Sequence, residues 1–479
     1  MLFNSYEFLI LFLVTGILYY LPMVRRMQPA ILLVSSFIFY SHHHPPLLIL
    51  LVFSILCNSA GSYAILRYPL ERARWVALAA VSVNLGILGA FKYAGLLALT
   101  FWGSDTQDNQ IANFLLTIPL PLGISFFTFQ GISLLIDCFR SREVGQLEDK
   151  IASLHDIHQS GFWRFTLDTA LYIAFFPQLV AGPIVKARDF YFQIKPKYFS
   201  SINWEKVFRF VVLGYFLKMV IADNLKDRTF YLNYPLFLNI DPLTLISLLF
   251  GYSVQIFADF AGYSAIAIGL SAFFGYEIPI NFRKPYIAQS FADFWSRWHI
   301  SLSTWLKEYL YIGLGGNRKG AFRTYINLFL VMFLGGLWHG ASWNYAFWGI
   351  FHGLALALER AILGSRPQNS KNKVIAAMRM GFVFIFVTHA WLFFILQDLN
   401  QYAGFWKALV TNSGTPNFVW ITYVILYSIP VIAYHFKDMI SERMSGKFVS
   451  IIEPVVYGGM IWLIFFNAGS AGEFIYFQF

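Results

Sequence analysis

Runs of about 18 or more residues with almost no charge recur along nearly the whole chain, and their recurrence limits what it can become. At about 1.5 Å of rise per residue, each run can carry a helix across the roughly 30 Å apolar core of a bilayer. Of 479 residues, 58% are hydrophobic and 13% charged, and the mean hydropathy is +0.58. Soluble domains carry about 25% charged residues, so an ordinary cytosolic enzyme is excluded. The expected fold is an all-α polytopic membrane protein of about 11 transmembrane helices with short re-entrant or interfacial helices. No linker divides the chain, so a single integral-membrane domain over 1–479 is expected.

The net charge of +10 raises the question of nucleic acid, but the basic residues fall in short loops between apolar runs. Positive-inside bias explains that distribution, and no nucleic-acid partner is expected beside membrane lipid. Arg25 and Arg26, then Arg67, Arg72 and Arg74, then Arg140, Arg142 and Lys150 follow alternate runs, which puts the N-terminus outside. The later loops alternate likewise and leave the C-terminus outside. No basic residue precedes the run Phe8 to Met23, and Arg25-Arg26 follows it, the reverse of a cleaved leader, so a retained first helix is expected.

Cys57 and Cys138 sit inside apolar runs and read as small buried side chains. His42-His-His44 has the composition of a metal tract, yet Pro45-Pro46 holds it extended, and an exposed loop is the plainer reading. Pro119 to Gly123 opens a run irregularly, which suits a segment lined by protein rather than lipid. Gly182-Pro183 breaks another, with Lys186, Arg188, Lys195 and Lys197 behind it; an anion site and an inner loop both fit. Asp259 lies in mid-membrane sequence and needs a partner, with Arg283, Lys284 and Arg297 as candidates; a structural pair and a catalytic acid both remain open.

Histidine, arginine and tryptophan concentrate between Phe291 and His352. The first half contains Phe294-Trp-Ser-Arg297-Trp298-His299, and the second Leu334-Gly-Gly-Leu-Trp338-His339-Gly340-Ala-Ser-Trp343-Asn344, then Trp348 and His352. Imidazoles are costly in an apolar setting, so a functional role is the default. Basic loops at Arg318 to Arg323 and from Arg360 onward both read as inner. The 36 residues between them (Thr324 to Glu359) then make two helices of about 15 residues, each about 23 Å long. Helices that short are expected to meet at a break within the membrane, with His339 at the break.

Several of these segments together resemble the membrane-bound O-acyltransferase superfamily, in its bacterial alginate and peptidoglycan O-acetyltransferase branch. They are Pro121-Leu-Gly-Ile-Ser-Phe-Phe-Thr-Phe-Gln130, Gly182-Pro-Ile184, Asp259-Phe-Ala-Gly-Tyr-Ser264, Phe294 to Leu306, Gly315-Gly-Asn-Arg318, Leu334 to Trp343 and the terminal Phe474-Ile-Tyr476-Phe-Gln-Phe479. One departure is Ala265, where the alginate branch often carries a second acid. The resemblance implies a funnel of helices with N-terminal spans in 1–138, a catalytic core at about 165–360, and spans in 374–470 leading to an extracytoplasmic tail, 471–479.

It also implies that His339 is the catalytic histidine and His299 its companion, with Tyr476 as an acyl relay. Arg297, Trp298, Trp338, Trp343 and Asn344 are the expected substrate contacts, and no metal site is expected. The implied reaction takes an acyl group, acetyl in the first instance, from a cytosolic thioester such as acetyl-CoA. No other cofactor is expected. A periplasmic acetyltransferase would pass the group to a polysaccharide, in a bacterial inner membrane. D-alanyl transfer from a carrier protein is the alternative, and a transporter using His339 as a proton relay a third reading.

Overall fold

The computed structural model describes residues 1–42, 45–103, 109–143, 161–364, 369–441, 446–470, 472 and 474. Most of the His42–His44 tract and residues 144–160 lie outside them, as does Tyr476. Among the described residues the chain forms helices and irregular segments without a strand. Seven helices among the described residues are long and apolar enough to cross a membrane, or eight if the pair Tyr6–Tyr20 and Pro22–Ser41, bent by 102°, counts as one span. About eleven were expected. That number is not confirmed by length and composition alone, because apolar sequence is interrupted at places such as residues 204–229, which run as a helix, a π-helical turn and a helix (Trp204–Tyr215, Phe216–Ala222, Asp223–Thr229) carrying buried charge.

The described residues divide into two compact units, Met1–Phe210 with Ile266–Pro279, and Val211–Ala265 with Ile280–Phe479. In the first, helices Leu47–Arg67, Leu70–Trp102 and Ile124–Glu143 pack together. Asn58 and Asn84 exchange amide hydrogen bonds of 3.1 and 3.0 Å between two of them. Polar pairs of this kind satisfy groups that lipid cannot. Gly131 faces Asn58 so closely that a Cβ would stand 2.5 Å from its side chain. Helix Ile124–Glu143 is buried along most of its length, as its irregular start foretold. Gly123 makes that start with φ +74°, where a Cβ would lie 2.8 Å from the Leu179 carbonyl. The chain breaks again after Leu179, and the segment through Gly182 and Pro183 is buried.

The second unit holds the histidine-rich stretch. Helices Gly320–His339 and Trp343–Leu363 form a tight hairpin. They contain 20 and 21 residues, so each reaches about 30 Å and can cross the core in full. The expected pair of short helices is therefore corrected, although the break after His339 stands. The reason is that Arg323 and Arg360 lie inside the helices rather than in the loops, since a long basic side chain can extend its charge from a helix end toward water.

Candidate functional site

Glycine makes the hairpin close. A Cβ on Gly349 would lie 2.3 Å from the Met332 carbonyl oxygen, and one on Gly336 would lie 2.1 Å from that of Tyr345. At the turn, Gly340 is extended (φ −158°), and the Ser342 side chain caps the next helix by accepting from the Asn344 N–H. A Cβ on Gly340 would strike the Tyr345 ring at 2.1 Å. His339 is thus the last helical residue before Gly340, where a side chain would meet the Tyr345 ring. It is 4% exposed. Its ring meets Trp348 edge-on at 5.0 Å and lies 5.2 Å from Trp338 and 5.6 Å from Phe394.

His299 reaches the same place from another element. Helix Phe291–Arg297 starts at the Ser290 cap, and the Glu359 carboxylate accepts from the backbone N–H groups of Phe291 and Ala292. Glu359 belongs to helix Trp343–Leu363, so one carboxylate ties the His299 helix to the His339 hairpin at a favourable N-terminus. The helix ends at Arg297, and His299 takes the left-handed conformation (φ 43°, ψ 54°). Only a few per cent of non-glycine residues sit there, at a cost of order 1–3 kcal/mol. Asn281 holds the turn: its carbonyl accepts from Ile300 N–H at 3.0 Å and its side chain from Ser301 N–H at 3.3 Å. The His299 ring is fully buried, and burial lowers its pKa from the ordinary histidine range to about 3. It lies 6.1 Å from the His339 ring and 5.7 Å from Trp338. Two stretches 40 residues apart in sequence thus converge on one pair of imidazoles.

The other expected residues scatter around this pair. Trp298 is fully buried against Phe294, Phe282 and Trp391. Arg297 turns to Asp293 at 2.6 Å. Trp343 is 48% exposed. Asn344 is buried and donates its side-chain amide to the Leu396 carbonyl. His352 is fully buried, and Trp348 stands between it and His339, 4.8 Å from His352 and 5.0 Å from His339.

A cavity of about 550 Å³ shares the Phe394 ring with His339, although neither histidine is among its lining residues. Asn344, Tyr345 and Phe394 form one wall, and Lys218, Asp223, Gln255 and Asp259 another. Lys218 bridges the two carboxylates, 2.8 Å from Asp223 and 2.7 Å from Asp259. The partner of Asp259 is therefore Lys218, not Arg283, Lys284 or Arg297; Lys284 pairs instead with Asp438. Lys218 was legible in principle, as the one charge between Phe210 and Ala222. A lone cation in an apolar run needs a buried anion as much as Asp259 needs a cation. Trp348 and Phe394 were missed as well, since neither carries a titrating group that marks it.

A family model described as MBOAT, membrane-bound O-acyltransferase family, matches residues 164–403, which include both histidines. A probable alginate O-acetylase of Pseudomonas putida is 39% identical over 346 residues, 70% of this chain and 64% of that one. A peptidoglycan O-acetyltransferase of Helicobacter pylori is 36% identical over 362 residues, 71% and 65% of the two chains. A teichoic acid D-alanyltransferase of Streptococcus thermophilus is 29% identical over 279 residues, 54% and 61%. The chain thus spans less than two thirds of the length of each of these relatives.

Proposed function

Since the chain belongs to the membrane-bound O-acyltransferase family, we propose that it moves an acetyl group from a cytosolic thioester, acetyl-CoA, across a bacterial inner membrane. The group is destined for O-acetylation of an extracytoplasmic polysaccharide such as alginate. One observation carries the reading: a buried imidazole, His339, ends its helix at a glycine turn, 6.1 Å from the His299 ring, with only the Phe394 ring shared with the polar cavity. In the proposed step an acceptor hydroxyl oxygen attacks the thioester carbonyl carbon while His339, neutral, takes the hydroxyl proton. The tetrahedral intermediate collapses, the C–S bond breaks, and the imidazolium returns the proton to the leaving thiolate. Arg297, Trp298 and His299 position the donor, and Trp338, Trp343 and Asn344 are the remaining substrate contacts in this reading.

The first acceptor in this reading is Tyr476, on an extracytoplasmic C-terminus, which hands the group to a periplasmic acetyltransferase as a phenyl ester. Support comes from Phe474, buried against Tyr263 at 4.6 Å and Phe260 at 5.7 Å, where the Phe260 ring also lies 4.6 Å from His299. His339→Ala is the direct test. Ester-linked acetate released by mild alkali from envelope polymers is expected to disappear at unchanged protein level. Retention of more than about a tenth of the wild-type amount discards His339 as the base.

The likeness to a teichoic acid D-alanyltransferase supports a second reading, the same chemistry with D-alanine delivered by a carrier protein. Purified protein offered radiolabelled acetyl-CoA separates the two, because the carrier-dependent enzyme leaves acetyl-CoA intact. Transport of an unbroken substrate without acyl cleavage would favour the transporter reading instead.

A further inference from the structure

We propose that the stretch beginning at Asn467 is a glycine-keyed strap, docked on the ion-paired corner around Lys218, which fixes the point from which the last five residues start. The corner is built at the π-helical turn Phe216–Ala222. A π turn pairs backbone groups one residue further apart than an α turn and so disturbs the ordinary ladder. Within it the Met219 carbonyl accepts from the Gly469 N–H at 2.8 Å. One turn on, the Asn224 side-chain amide donates to the Asn467 carbonyl at 2.9 Å, and the Ser470 hydroxyl donates to Asp227 at 3.1 Å. The strap thus pairs by backbone or side chain with three residues of one helical edge.

Two glycines set its register. A Cβ on Gly469 would lie 2.5 Å from the backbone of Asp223 and Asn224, atoms that cannot move aside. A Cβ on Gly472 would lie 3.0 Å from the Asp223 carboxylate and from the Lys226 ammonium. Asp223 is the carboxylate that Lys218 shares with Asp259, so the charge cluster that walls the cavity also forms the floor under the strap. Beyond Gly472, Phe474 is 1% exposed, seated on Tyr263 and Phe260. Five residues follow it, Tyr476 among them. Docking rests on these contacts alone; its consequence, delivery of Tyr476 toward the two imidazoles, rests on the acyltransferase reading.

The test uses full-length protein in detergent, digested with a carboxypeptidase while the C-terminus is followed by intact mass. Gly469→Val is expected to be trimmed past Phe474 at least tenfold faster than wild type. Gly459→Val, whose Cβ meets nothing within 4 Å, is expected to match wild type. Equal rates for Gly469→Val and wild type overturn the strap. Should the glycine variant fail to fold, Phe474→Ala takes its place: trimming past Gly472 at least tenfold faster supports docking, and a wild-type rate overturns it. In cells, Gly469→Val is expected to lower ester-linked acetate at least tenfold. A released tail with undiminished acetate leaves the docking in place and overturns the delivery of Tyr476.

Discussion

His299 carries the least usual backbone of the site, a left-handed histidine followed directly by a helix. A residue without an imidazole that tolerates this conformation isolates the role of the ring. Asparagine is such a residue, so His299→Asn is expected to keep the turn held by Asn281 and to lose acylation at least tenfold, with weaker donor binding. Unchanged donor affinity with a slower later step would discard donor positioning. The place of its neighbour His339, last in its helix before Gly340, was legible from the glycine-interrupted middle of the apolar run. Trp348, in contact with both His339 and His352, was not. An indole in a membrane helix is ordinary, and only the folded contacts give it a place. Lys218 falls between these cases: its isolation is visible in sequence, but the choice between upstream and downstream partners for Asp259 is made by the fold.

At the scale of elements, the hairpin that presents His339 depends on backbones meeting where no side chain intervenes. Gly349→Leu would place its Cβ 2.3 Å from the Met332 carbonyl oxygen. Overpacking of this kind costs about 1–3 kcal/mol or more. The unfolding midpoint in detergent is expected to drop by several degrees and acylation to fall with it. Gly381→Leu, in helix Lys373–Ala390 with nothing within 4 Å of its Cβ, is expected to change neither. A midpoint equal to wild type in Gly349→Leu would mean that the two helices are not locked together. Helix lengths were the poorly legible part. Charge marks loops in sequence, yet Arg323 and Arg360 sit within helices, and that difference turned an expected pair of short helices into two of full length.

On the scale of the molecule, the all-α membrane fold was legible because apolar length and charge deficit leave few alternatives. Span number was less so, since buried charge such as Lys218 and bends such as that at Leu21 break the apolar runs. The relay reading is tested at this scale by Tyr476→Phe, which keeps a ring and deletes one oxygen. Ester-linked acetate on envelope polymers is expected to be nearly lost, and wild-type protein without its periplasmic partner to carry an acyl adduct on Tyr476 by mass spectrometry. Near-normal acetate in Tyr476→Phe would leave the terminal aromatics as an anchor or a docking element. The strap at Gly469 and Gly472 has a consequence in terms of concentration. Tethered to helix Gly446–Phe466, it faces its seat at an effective concentration on the order of 1 mM. A free peptide binding the same seat with a Kd of about 10 µM, roughly 7 kcal/mol, would then be seated about 99% of the time once attached. A change costing about 2.8 kcal/mol would bring that ratio near one to one. The tail therefore behaves as a weak ligand supplied at a fixed dose, one copy per site, whatever the level of the protein in the membrane.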